Sequence, residues 1–163
     1  MPDPRLVKEY GNPNRFLQGT YATSYIGYIH TRPGAVNPNS APQIGGYQLN
    51  ASGGFDQVDG YRLNSFAAYL DFHGDGNLHG AGWTNRGGTN LNQLTFTGDY
   101  TVDQQGPVFT GNYATVDPKG IRVEHYWIMS NNWRRLEFMV TEVTQNGNPY
   151  RQFVVAGTLN RIG

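Results

Sequence analysis

Apolar and polar residues alternate with a period of two from Phe109 to Asn160, and three turn sequences cut that stretch into four strand-like segments. The turns are Asp117-Pro118-Lys119-Gly120, Ser130-Asn131-Asn132-Trp133 and Gln145-Asn146-Gly147-Asn148. Pro followed two places later by Gly suits a type I turn with a glycine bulge, while Asn-Asn and Asn-Gly tolerate the positive φ of a two-residue I′ hairpin. Each turn predicts a register. The first pairs Tyr113 with His125 and Gly111 with Trp127. A two-residue Asn131-Asn132 loop then sets Trp127 beside Leu136, His125 beside Phe138 and Val123 beside Val140. The third turn sets Phe153 beside Val140, Val155 beside Phe138 and Gly157 beside Leu136. A slip of one residue would move every side chain to the opposite face, so the agreement of three turns on one apolar face is informative. That face carries Phe109, Tyr113, Val123, His125, Trp127, Leu136, Phe138, Val140, Phe153, Val155 and Leu159. Arg135 and Glu137 point away from it.

Upstream the pattern is less regular. Residues 1–18 hold Pro2, Pro4 and Pro13 with few apolar anchors and read as an N-terminal arm that brackets the main body, 19–163. A first strand spans about Gly19 to Thr31. Residues 32–63, dense in Gly, Pro, Asn and Ser, form one long loop, and loops of that length in compact domains are commonly functional, which makes this one a candidate lid. Strands follow at Ser65–Phe72, Leu78–Thr84 and Asn92–Val102, with short connections. The sum is an all-β chain of about eight strands in an up-and-down antiparallel meander, and closing that meander into a single barrel removes its exposed edges. If Phe66, Leu70, Phe72 and Leu78 are core, then Tyr69, Asp71, His79 and Trp83 face outward.

Composition narrows the function. Lys plus Arg and Asp plus Glu are both 12, with no basic stripe to track a phosphate backbone, so nucleic acid is not an expected partner. There is no cysteine, which removes disulfides, thiolate ligands and a thiol nucleophile. No apolar run is long enough for a spanning helix. The compartment and the formation of a homo-oligomer stay open. Tyr 11, Phe 8 and Gly 22 suit twisted sheets around a cavity lined by rings.

The four histidines, His30, His73, His79 and His125, fall on different elements without a recognised metal-ligand spacing, so no metal is expected. Phosphate-binding loops and a nucleophile elbow are also missing, and no cofactor is implied. What remains is the interior. His125 is predicted to point inward with Tyr113 across the strand pair, and a buried neutral imidazole hydrogen-bonded to a phenol could act as a general base or proton relay. A core histidine satisfied by Tyr113 is the plain alternative. Trp127, Phe138, Tyr100, Tyr25, Val140 and Phe153 are expected to line the substrate pocket.

Gly19-Thr20-Tyr21 at the start of the first strand, the eight-strand meander and Arg161 just after the last strand together resemble the calycin superfamily of lipocalin-like barrels. In that superfamily a Gly-x-Trp at the start of the first strand packs beneath an Arg from near the barrel's end, and Tyr21 stands here where the Trp would be. The resemblance implies the architecture; such barrels host both carriers and enzymes. The residues suggest a small-molecule-binding barrel that acts as a cofactor-independent isomerase, cyclase or lyase on a small apolar substrate, terpenoid, epoxide or polyene-like. His125 and Tyr113 would move the proton. The alternative is a non-catalytic, lipocalin-like carrier of a hydrophobic ligand.

Overall fold

The computed structural model describes residues 12–30, 47–49, 55–57, 61–86, 91–130, 132–150 and 153–163. Eight antiparallel strands close into an up-and-down barrel. They are β1 (Gln18–His30), β2 (Tyr61–His73), β3 (Asn77–Arg86), β4 (Leu91–Gln105), β5 (Val108–Val116), β6 (Ile121–Ser130), β7 (Arg135–Gln145) and β8, which runs as Phe153–Val154 and Ala156–Arg161. Each strand pairs with the next, and β8 returns to β1 through Tyr21 opposite Arg161 and Thr23 opposite Leu159. Of the expected arm, residues 1–11 lie outside the described residues. The expected long loop, 32–63, also lies outside them for the most part; within it, Tyr47–Leu49 and Phe55–Gln57 pair as a separate two-stranded ribbon.

The inner face is the one the alternation predicts. Tyr21, Phe72, Phe109, Trp127, Leu136 and Leu159 are fully buried, whereas Tyr69, Trp83 and His79 face outward. Every pair expected of the first hairpin is present, including Tyr113 opposite His125 and Gly111 opposite Trp127. Its turn is built as the sequence suggests. Gly120 sits at φ 74°, and Asp117 Oδ1 accepts from the backbone N–H groups of Lys119 and Ile121 at 2.8 and 2.9 Å. Gly111 has a packing reason as well: a Cβ there would lie 2.0 Å from the Thr101 carbonyl oxygen and 2.8 Å from the Trp127 ring. The ring occupies the space that the missing side chain leaves.

The second hairpin corrects the sequence reading. Ser130 pairs with Arg135, so the loop has four residues, and Trp127 lies opposite Phe138, His125 opposite Val140 and Met129 opposite Leu136. The shift is by two positions, which preserves the faces and changes only the neighbours. Its physical reason is Trp133. With Asn132 and Trp133 at φ 55° and 67°, the indole turns into the end of the barrel beside Phe16, Phe109 and Trp127. Burying such a ring removes roughly 150–250 Å² from water, worth about 4–6 kcal/mol, from which the indole N–H, buried without a partner among the described residues, takes back about 1–3 kcal/mol. A bulge between Glu124 and His125 then leaves Thr141 unpaired, so Val123 meets Val143 instead of Val140. The third hairpin keeps its Asn146-Gly147 turn, with φ of 49° and 83°. Farther along, β8 has slid by two, placing Gly157 opposite Phe138 and Leu159 opposite Leu136.

One end of the barrel is plugged. A short 3-10 helix, Pro13–Phe16, with Asn12 as its cap, leads into the fully buried Leu17. Phe16 stacks on Trp133, and below them Tyr21, Phe72 and Tyr100 meet edge to face. The Tyr21 hydroxyl donates to the carbonyl of Trp133, tying the plug to the barrel floor. Gly19, at φ 113°, is covered by Arg161, whose guanidinium would lie 3.1 Å from any Cβ added there.

Candidate functional site

Above this floor the interior is not filled. A cavity of about 70 Å³ lies between β1, β2, β3 and β4 on one side and β5, β6, β7 and β8 on the other. Its walls include Tyr25, Phe66, Phe96, Tyr113, His125 and Phe138. At about 10–15 Å³ for each water, the space holds about five to seven waters.

Phe72 separates floor from cavity, since its ring meets Tyr100 at 5.1 Å and Tyr113 at 6.1 Å. Of the residues expected to form a pocket, the fold therefore brings together His125, Tyr113, Phe138, Tyr25 and Phe153. Three others stand elsewhere. Tyr100 is a structural peg: its hydroxyl accepts from the Gly74 N–H at 2.7 Å and donates to the Leu17 carbonyl at 2.8 Å. Trp127 belongs to the plug, packed on Gly111 and 6.3 Å from Trp133. Val140 is buried opposite His125 without reaching the cavity.

The central pair is close, but its geometry differs from a proton relay. The rings of Tyr113 and His125 stack face to face, 4.0 Å apart and within 6° of parallel. His125 Nδ1 lies 3.3 Å from the backbone carbonyl of Tyr113. A carbonyl only accepts, so Nδ1 carries the proton and Nε2 the lone pair of the neutral ring. The tyrosine contributes its carbonyl and its ring face to His125, and the expected hydroxyl-to-imidazole bond gives way to stacking because the two side chains are directly opposite on flat neighbouring strands. Burial pushes the His125 pKa down to about 3, against a smaller upward pull from the Tyr113 and Val123 carbonyls. Burial pushes the Tyr113 phenol well above its ordinary value. Both groups are neutral across the physiological range.

The rest of the polar lining was not singled out in the sequence. Thr23 Oγ1 is buried and, among the described residues, has no hydrogen-bond partner. Thr84 Oγ1 donates to Asn64 Oδ1 at 2.7 Å, which orients that buried amide. Alternation from Tyr21 through Tyr25 was the available signal for Thr23. Asn64 and Thr84 looked instead like strand ends. Among the described residues no Lys or Arg lines the cavity, and the one carboxylate there, Asp117, spends an oxygen on its own turn.

No family model, curated protein or solved structure matches this chain. The site is thus read from its own chemistry. Outside the barrel the fold does bring histidines together that looked separate in the sequence: His73 and His79 meet across the β2–β3 turn, beside Asp71.

Proposed function

We propose that the protein binds a small, neutral, mostly apolar molecule inside the barrel, as a carrier rather than a catalyst. The observation that carries this reading is the unpartnered hydroxyl of Thr23 in a ring-lined cavity whose carboxylate, Asp117, is held by its own turn. A buried polar group without a partner costs about 1–3 kcal/mol, and a ligand oxygen at Thr23 would recover it. The Tyr113 phenol offers a further neutral donor in the same space. An acidic ligand would have to shed its water without meeting an opposite charge among the described lining residues, which disfavours acids. A cavity of about 70 Å³ suits a small ligand with one or two oxygens. The calycin-like reading belongs to the same proposal, supported by Gly19 and Tyr21 lying beside Arg161 at the plugged end.

A cofactor-independent isomerase, cyclase or lyase is the second reading, and one observation favours it. Tyr113 keeps its proton inside the cavity, the form a general acid needs. Against it, a base whose pKa lies near 3 is poorly matched to neutral pH, and His125 has no hydroxyl to relay through.

Native mass spectrometry of the purified protein tests the proposal directly. The expected result is a stoichiometric neutral adduct that is absent from an Ala68→Phe variant, because Ala68 lines the cavity and a ring there would fill it. An adduct kept by that variant would place the ligand elsewhere. For the second reading, Tyr113→Phe separates the roles: a carrier keeps its affinity within a few-fold, whereas an enzyme loses turnover while still binding.

A further inference from the structure

The outer face of the barrel, at its plugged end, gathers a second set of chemically active side chains. Thr20, Asp71 and His79 are direct cross-strand neighbours on β1, β2 and β3. His73 follows Asp71 by two positions and so shares its face. Gly74 and Gly76, at φ 85° and 100°, fold the chain back tightly, and Asp75 Oδ1 accepts from the Asn77 N–H at 2.8 Å to hold the turn. His73 Nε2 then lies 2.6 Å from His79 Nδ1, and His79 Nε2 lies 3.8 Å from Asp71 Oδ2. One donor atom from each of the three residues lies within 4.8 Å of the others.

The support behind these donors is also present. Thr20 Oγ1 donates to Asp71 Oδ1 at 3.1 Å, which fixes the carboxylate with Oδ2 turned toward the imidazole. Outer hydrogen bonds of this kind orient metal-binding carboxylates and histidines. Backbone ladders on three adjacent strands hold the Cα positions, while the half-exposed ring of His79 and the exposed His73 have room to adjust. An ion with bonds of about 2.0–2.2 Å places its donors roughly 3.3 Å apart in a tetrahedron, so the two rings would open from 2.6 Å while the donors that stand farther apart, within 4.8 Å, close around the ion.

We propose that Asp71, His73 and His79 bind one divalent transition-metal ion. Two imidazoles and a carboxylate suit Zn²⁺, Cu²⁺ or Ni²⁺ and are poorly suited to Ca²⁺ or Mg²⁺, which favour oxygen donors alone. Three protein donors leave a position for water or an outside ligand. The site shares no residue with the cavity and stands whether or not the carrier reading does.

Zinc chloride titrated calorimetrically into the full chain is expected to show one equivalent bound. Cu²⁺ in its place should give an electron paramagnetic resonance spectrum with splitting from nitrogen ligands. H73Q/H79Q is expected to lower the affinity at least a hundredfold and D71N about tenfold, with T20V in between D71N and the unaltered protein. H30Q and H125Q should bind as the unaltered protein does. All the altered positions of the site are on the outer surface, and far-ultraviolet circular dichroism checks that each variant is folded. Absence of binding at millimolar zinc would overturn the proposal and leave the trio as a hydrogen-bonded chain. Unchanged affinity in folded H73Q/H79Q, or a loss confined to H30Q, would overturn it as well.

Discussion

Replacing His125 with Gln should flatten the acid side of the stability profile. In the unfolded chain His125 titrates near 6.5, and in the folded barrel burial brings it to about 3. Between those values the unfolded state binds a proton that the folded state refuses, so stability rises with pH at about 1.36 kcal/mol per unit. The contribution is fully present above pH 6.5 and is lost as pH falls toward 3. At pH 4.5 the loss is about 3 kcal/mol, and at the limit about 5 kcal/mol. Gln cannot titrate, so H125Q lacks this term whatever else the substitution costs at neutral pH. All other ionisable groups are common to the two proteins, so the difference between them isolates His125. Urea unfolding at pH 7, 6, 5 and 4.5 measures it: the gap between the unaltered protein and H125Q should narrow, or invert, by about 3 kcal/mol between pH 7 and 4.5. Parallel profiles would mean that His125 reaches solvent in the folded state, and the picture of a dry, neutral ring stacked on Tyr113 would be wrong.

Other substitutions probe different parts of the account. Thr23→Val keeps the shape and removes the unpartnered hydroxyl, so chemical denaturation should show the free protein more stable by about 1 kcal/mol while ligand affinity falls about tenfold. Tyr100→Phe removes the hydroxyl that joins Gly74 to Leu17, and the midpoint of urea unfolding should drop by the equivalent of about 1–3 kcal/mol with the cavity ligand still bound. If Tyr100→Phe instead abolished ligand binding at unchanged stability, the division between floor and cavity at Phe72 would be misplaced.

Much of the barrel was legible because its signals are local. The Asp117–Gly120 turn fixes its own register through Asp117 Oδ1 and Gly120, and the Tyr113–His125 pair follows from it. The second hairpin was legible in face but not in neighbour. Trp133 leaves the turn for a partner, Phe16, more than a hundred residues away, and no local pattern encodes that attraction. The same limit separates the pocket residues that were foreseen from those that were not. His125, Tyr113 and Phe138 share strands with clear turns. Trp127 and Tyr100 point inward equally well, yet they lie at the plugged end, and depth along the barrel axis depends on where the floor sits. Thr23, Asn64 and Thr84 were missed because a hydroxyl or amide in a strand gives no hint of burial until both neighbouring strands are placed. Asp71, His73 and His79 look scattered until the Gly74–Gly76 turn sets them side by side.

The central claim is that the space above Phe72 takes up a small neutral molecule. Titrating the isotope-labelled protein with benzyl alcohol, followed by two-dimensional NMR, tests it most directly. Saturable shifts are expected, confined to the cavity walls, Thr23, Phe66, Tyr113, His125 and Phe138 among them, with none at those positions in Ala68→Phe. Shifts that do not saturate, or that spread over Tyr69 and Trp83 on the outer face while the interior stays silent, would contradict it.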